Sequence, residues 1–204
     1  MYKPRPIVYV VDDHPSIRKS VGYLLSLAGF QVMSFSSPDE FLKICKDAKQ
    51  GCLLLDVYMP GMNGLRLQRL LNDLDFHLPV IFMTGTGDIS SSVQAMKMGA
   101  LDFIQKPFDA RTLIKAVEKA LEKNRIELAV RGMTDAAREK LALLSPREKD
   151  VLKLAVKGLL NKQIASELGI AEATVKIHRG RAIKKTGAHS IAELIVLFEK
   201  AGPM

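Results

Sequence analysis

The chain has 204 residues, 48% of them hydrophobic, a length and composition that support real cores and favour two ordinary domains over one large one. The formal net charge of +8 is unevenly placed: basic and acidic residues nearly balance from Met1 to Leu121, so the excess on the remainder marks the C-terminal part as the better polyanion partner. No apolar run approaches the ~18 residues of a membrane span, the start Met1-Tyr-Lys-Pro-Arg-Pro6 has no apolar h-region, and Cys45 and Cys52 lack CxxC spacing. These features argue against a membrane protein and a secreted disulfide scaffold, and predict a cytoplasmic, soluble chain with reduced thiols.

In chain order, Ile7 to Val11 is a continuous apolar run, followed by Pro15 and by Ile17, Val21, Leu24, Leu25 and Ala28 at helical spacing up to Gly29. This reads as a strand and then a helix. Gln31 to Phe35 predicts a second strand, and Ser37-Pro-Asp-Glu40 has the form of a capping box leading into Phe41, Leu42, Ile44 and Cys45. The rhythm repeats in Cys52–Leu55 with Leu65–Leu74, in Val80–Met83 with Ile89–Met98, and in Leu101–Gln105 with Ala110–Leu121. Such βα repeats with unbroken apolar strands predict a doubly wound, five-stranded parallel sheet buried on both faces.

From Glu122 to Lys140 the chain turns charged and predicts a semi-exposed helical linker interrupted near Gly132. Ser145-Pro146-Arg147-Glu148 then supplies an N-cap, an N1 proline and an N3 glutamate for a helix that Gly158 stops. Three more helices are expected over Asn161–Leu168, Glu172 to about Lys185, and Ser190–Lys200, and the Gly169 turn between two short helices fits a helix-turn-helix. The expected division is residues 1–121, a linker at 122–140, and an all-α four-helix domain at 141–204.

Strand ends carry the chemistry. Asp12 and Asp13, Asp56, Thr84 and Lys106 each follow an apolar run, and in an open parallel sheet those ends line one crevice. Clustered carboxylates repel one another, so a hard cation is expected among them, magnesium or manganese in its place. Asp56 alone follows the central strand and is the expected nucleophile toward a phosphodonor, giving an acyl phosphate. Lys106 would offset charge on the transferring phosphoryl oxygens and Thr84 would donate a hydrogen bond to one of them. The stretch Met83-Thr-Gly-Thr-Gly-Asp88 lacks the Gly-Lys-Ser/Thr ending of a phosphate loop and reads as a strand-to-helix turn.

The segment Glu172 to Lys185 sets Lys176, Arg179, Arg181, Lys184 and Lys185 against one acidic residue, a balance that suits phosphate neutralisation by a helix of major-groove size. A charge run alone more commonly marks a solvated face.

Taken together, Ile7 to Leu121 resembles the receiver domain of bacterial two-component response regulators, a flavodoxin-like fold. The match lies in an acidic pair after strand one, Asp after strand three, Thr after strand four and Lys-Pro after strand five. The resemblance implies that Asp56 accepts phosphate from a sensor histidine kinase. It implies metal ligation by Asp12, Asp13, Asp56 and the Tyr58 backbone carbonyl, a cis peptide at Lys106–Pro107, and Phe103 as the switch aromatic. Gly87-Asp88-Ile89 and Val93 to Phe108 are similar to the FixJ-type subfamily, with a departure at Ser90, where that subfamily often has proline. Leu144-Ser-Pro-Arg-Glu-Lys-Asp-Val-Leu, Asn161-Lys-Gln-Ile-Ala, Leu168-Gly-Ile and Thr174-Val-Lys-Ile-His178 resemble the LuxR-type helix-turn-helix. That resemblance implies base contacts from Lys176 and Ile177 and phosphate contacts from Lys162, Thr174, His178 and Lys185, with Arg179, Arg181 and Lys184 as further candidates. Gly180 falls inside the recognition helix, and Thr186 stands where the family commonly buries leucine.

The expected function is a double-stranded-DNA-binding regulator, not an enzyme, that dimerises through the fourth helix and fifth strand when Asp56 is phosphorylated. Two alternatives stay open: a regulator independent of phosphorylation, and a magnesium-dependent phosphatase with an Asp nucleophile. The second fits less well, because Asp12 and Asp13 are adjacent and Asp56-Val57-Tyr58 has no second acid.

Overall fold

The computed structural model describes residues 5–48, 50–85 and 89–202, and the side chains of 89–92 lie outside the description. The expected turn through Thr86, Gly87 and Asp88 and the departure at Ser90 therefore fall outside the described residues. Contacts divide the chain into two compact units, 1–127 and 128–204.

In the first unit, β1 (Ile7–Val11), β2 (Gln31–Phe35), β3 (Gly51–Asp56), β4 (Val80–Thr84) and β5 (Asp102–Gln105) form one parallel sheet in the order β2-β1-β3-β4-β5. Strand side chains alternate between faces. Tyr9, Val11, Leu53, Leu55 and Phe82 enter one core, and Val8, Val10, Cys52, Leu54, Ile81 and Met83 enter the other. Because β3 and β4 feed both cores, all their residues are buried, whereas the edge strands β2 and β5 are partly exposed. The first core is closed by α2 (Pro38–Leu42), α3 (Gly64–Asp73) and α4 (Ile89–Lys97), with Phe41 stacked edge-on against Tyr9, Phe35 and Phe76. The second is closed by α1 (Pro15–Leu27) and the first turns of α5 (Ala110–Ala142), through Val21, Leu25, Leu113 and Val117.

Two elements differ from the sequence-based expectation. α2 ends at Leu42 and gives way to a 3₁₀ turn at Cys45–Asp47, because the i+3 bond from Ile44 N to Phe41 O tightens the chain as Phe41 is drawn into the core. Its start is as expected in kind: Ser37 Oγ accepts from Glu40 N at 3.3 Å, and Glu40 reaches back to Ser36 N at 2.8 Å. The other difference is α5, which runs unbroken through Gly132 to Ala142. One glycine costs about 1 kcal/mol in a helix, too little to stop propagation from long flanking turns.

In the second unit the end of α5 packs Ala137 and Leu141 against α6 (Pro146–Val156), α8 (Glu172–Thr186) and α9 (Ile191–Ala201), and α7 (Asn161–Leu168) closes a smaller cluster around Ile164 and Val175. The capping box at Ser145 and Glu148 is formed, and Gly169 at φ +62° ends α7 in the left-handed region that the tight turn into α8 requires. Thr186 is buried although its side chain is polar. Its hydroxyl donates to Ala182 O at 2.8 Å, so the polar atom is satisfied on its own helix.

Candidate functional site: an acidic crevice and a basic helix

The strand order reverses direction between β1 and β3, and the carboxyl ends of β1, β3, β4 and β5 meet at that point, as the doubly wound topology dictates. Asp12, Asp56 and Thr84 are buried there. Lys106 Nζ donates to Asp12 Oδ2 at 2.7 Å and lies 3.2 Å from Asp56 Oδ1, so one ammonium bridges two carboxylates. The backbone places these groups tightly: Lys106 N donates to Thr84 O at 2.6 Å, and the Lys106–Pro107 peptide is cis, as expected. Burial pushes the Asp56 carboxyl above the ordinary carboxylate range. The Lys106 ammonium pulls it back, the Asp12 charge adds to the rise, and bonds from Lys106 and the Tyr58 backbone oppose it.

Asp12, Asp13, His14 and Asp56 each offer a ligand atom within 4.8 Å of the others. Among the described residues, Asp13 Oδ1 is buried without a properly angled hydrogen bond, although His14 Nδ1 lies 3.0 Å away. A lone buried carboxylate oxygen beside two further carboxylates is a donor set that fits a divalent cation. Gly64 shapes the same crevice from α3: its N–H donates to Val57 O at 2.9 Å, and a Cβ there would stand 2.1 Å from Asp56 O. Asn63 caps α3 by accepting from Arg66 N.

On α8 the residues divide by face. Val175, Ala182 and Thr186 are buried, while Lys176, Ile177, Gly180, Arg181 and Lys184 form one exposed stripe at i, i+1, i+4, i+5 and i+8. Ile177 is 52% exposed, an apolar side chain presented to solvent among cations. Lys176 lies 3.4 Å from Glu172, and Lys162 is exposed on α7. Gly180 adds no side chain to the stripe, and beyond its own helix backbone and chain neighbours no atom of the described residues stands within 4 Å of where its Cβ would be. Thr174 and His178 are half-buried, with His178 Nδ1 lacking a partner among the described residues. Two expected contact residues are engaged within the protein: Arg179 donates to Asn161 Oδ1, and Lys185 Nζ bonds the buried Glu148 at 2.8 Å.

Residues 8–118 match the response regulator receiver domain family, and residues 142–198 match the bacterial regulatory proteins of the luxR family. The chain is a LuxR-type response regulator. It is similar to Nodulation protein W of Bradyrhizobium diazoefficiens, 44% identical over 97% of this chain and 87% of that one, and to the transcriptional regulatory protein FixJ of Rhizobium meliloti, 41% identical over 92% of each. Among solved structures, the response regulator StyR matches with a TM-score of 0.84 and 43% identity over 97% of this chain and 100% of that one. Full-length FixJ from B. japonicum gives 0.61 and 34%, with 98% of each chain covered. As a response regulator of this class, the protein is a DNA-binding transcriptional regulator of the type controlled by phosphorylation, and a sensor kinase is its implied partner.

Three features of this response regulator were absent from the site as read from sequence. His14 joins the crevice, a placement that the contiguous Asp-Asp-His could have signalled. Arg18 donates to Asp12 O at 2.7 Å, and Gly64 admits α3 close to Asp56. Neither carries a local sequence signal, because both depend on contacts between separate elements.

Proposed function

We propose that Asp56 is the phosphoacceptor and that Asp12, Asp13, Asp56 and the Tyr58 carbonyl hold a magnesium ion, or manganese in its place. The observation that carries this reading is the convergence of three carboxylates at the strand ends, two of them, Asp12 and Asp56, bridged by Lys106. An Asp56 carboxylate oxygen attacks the phosphorus of a phosphohistidine on the kinase, the P–N bond breaks, and its electron pair stays on that nitrogen, so the group leaves as neutral imidazole with its proton on the other ring nitrogen. Bound magnesium would offset charge on the phosphoryl oxygens. Lys106 exchanges its bond to Asp56 for one to a phosphoryl oxygen, and Thr84 donates to another. Removing any one of these donors from a water-poor site weakens the transition state most.

Phe103, 45% exposed on the edge strand β5, acts as the switch aromatic, turning inward as Thr84 moves toward the phosphoryl group. Val93 and Met96 of α4 are exposed like Phe103, an apolar set on the α4 and β5 elements that supports phosphorylation-promoted dimerisation through them. A dimer presents two α8 helices to a paired DNA site. Lys176 and Ile177 approach base edges, and Lys162, Thr174, His178, Arg181 and Lys184 contact phosphates. Arg179 and Lys185 contribute charge while holding α8 in place. Residues 1–121 serve as the receiver and 141–204 as the DNA-binding domain, linked by 122–140. No helix among the described residues is long and apolar enough to cross a membrane, and DNA as the partner supports a cytoplasmic location.

Incubation with acetyl phosphate and magnesium tests the reading. One phosphoryl group per chain in the wild type and none in Asp56→Asn is expected, with phosphate esters left unhydrolysed. Continuous turnover of phosphate esters would favour a phosphatase, and a phosphorylated Asp56→Asn would overturn the assignment.

A further inference from the structure

We propose that His14 is a fourth side-chain ligand in the crevice and makes this site prefer borderline transition ions, such as nickel, over magnesium. The inference rests on the reading of the crevice as a metal site and concerns which ions that site selects.

His14 occupies the N-cap of α1, a position favoured for Ser, Thr, Asp or Asn because a side-chain oxygen there accepts from the first free amides. Its imidazole makes no capping bond, and its carbonyl alone receives Ile17 N and Arg18 N. The side chain is 65% exposed and fills no core. It turns toward the carboxylates instead, with Nδ1 at 3.0 Å from Asp13 Oδ1 and 3.7 Å from Asp12 Oδ1. The backbone fixes this placement, because His14 N donates to Asp12 Oδ1 at 2.9 Å.

Three carboxylates alone make a hard oxygen set suited to magnesium. An imidazole nitrogen changes that preference, since nitrogen donors favour nickel, copper and zinc and affinity rises along the divalent series toward copper. Metal–ligand bonds of about 2.0–2.2 Å hold adjacent donors roughly 3–3.6 Å apart and opposite donors about 4–4.4 Å apart. The four donors already lie within 4.8 Å of one another, so a small rotation of the exposed imidazole completes the set. Asp13 Oδ1, buried without a well-angled partner, is the oxygen that such an ion would satisfy.

The test is calorimetric titration of the full-length protein with magnesium and, separately, with nickel, for wild type, His14→Ala, His14→Gln and Asp13→Asn. Imidazole C–H resonances, assigned to His14 through its variants and followed with zinc, locate the site among the four histidines. In wild type, nickel binds more tightly than magnesium, magnesium competes with it, and zinc shifts the His14 resonances. Both His14 variants lose nickel affinity by about tenfold or more, while magnesium affinity stays within about twofold. Unchanged nickel affinity in His14→Ala, or zinc shifts confined to other histidines, overturns the inference and leaves the magnesium site standing. Magnesium binding untouched by Asp13→Asn overturns the underlying reading of the crevice.

Discussion

Glu148→Ala removes a carboxylate that ties together two ends of the DNA-binding unit. Its Oε2 accepts from Ser145 N and from Lys185 Nζ, both at 2.8 Å, so one side chain completes the α6 cap and anchors the last turn of α8. Loss of a capping partner costs about 1 kcal/mol. A charge-assisted hydrogen bond is worth roughly 1.5–3 kcal/mol when buried, but Lys185 is 41% exposed and recovers water, which leaves about 1 kcal/mol. The sum of about 2 kcal/mol predicts roughly 30-fold faster amide exchange for the α6 and α8 segments, with the sheet of the first unit unchanged. The pH dependence has a definite sign. Burial pushes the Glu148 carboxyl up, but bonds from Lys185 and Ser145 outweigh it and hold the group below the ordinary glutamate value of 4.5. Its contribution is therefore complete above that value and is lost as pH falls through the lowered folded-state value. Glu148→Gln should abolish that acid-side loss. Exchange in Glu148→Ala within about twofold of wild type at pH 7 would refute the reasoning.

Five further substitutions have expected outcomes. Gly64→Ala forces a Cβ to 2.1 Å from Asp56 O, so it should destabilise the first unit by about 1–3 kcal/mol and slow phosphorylation by acetyl phosphate, both read on one preparation. Lys162→Ala should lower DNA affinity evenly across sequences and reduce the salt slope by about 1, whereas Ile177→Ala should act at particular base positions in a binding-site selection. Lys185→Ala should weaken DNA binding mainly through loss of α8 order, with exchange in α8 rising alongside. If Tyr58, exposed two residues after Asp56, screens the proposed acyl phosphate from water, Tyr58→Ala should shorten the lifetime of the phosphorylated state.

What could be read from the sequence was local or periodic. The runs Val8–Val11 and Leu53–Leu55 announce strands buried on both faces, and the two cores they feed are separated by the simple alternation of side chains. Asp12, Asp56, Thr84 and Lys106 were legible as a group because strand ends of a parallel sheet converge whatever lies between them. Contacts across sequence distance were not legible. Nothing near Lys185 announces Glu148, 37 residues earlier, so a cation that anchors its own helix reads like a free one. The burial of Thr186 was not legible either, because its back-bond to Ala182 is invisible in residue type. Continuity of α5 through Gly132 was hidden by giving one glycine more weight than its cost warrants, and because the small Ala137 does not announce that the same helix enters the core of the second unit.

The central claim is that one phosphoryl group on Asp56 governs DNA binding by α8. Retention of genomic DNA fragments by the full-length protein, with and without acetyl phosphate, tests it in wild type and in Asp56→Asn. Phosphodonor should increase retention for wild type and leave Asp56→Asn at its basal value. Equal retention in all four conditions, or an equal response from Asp56→Asn, would contradict the account.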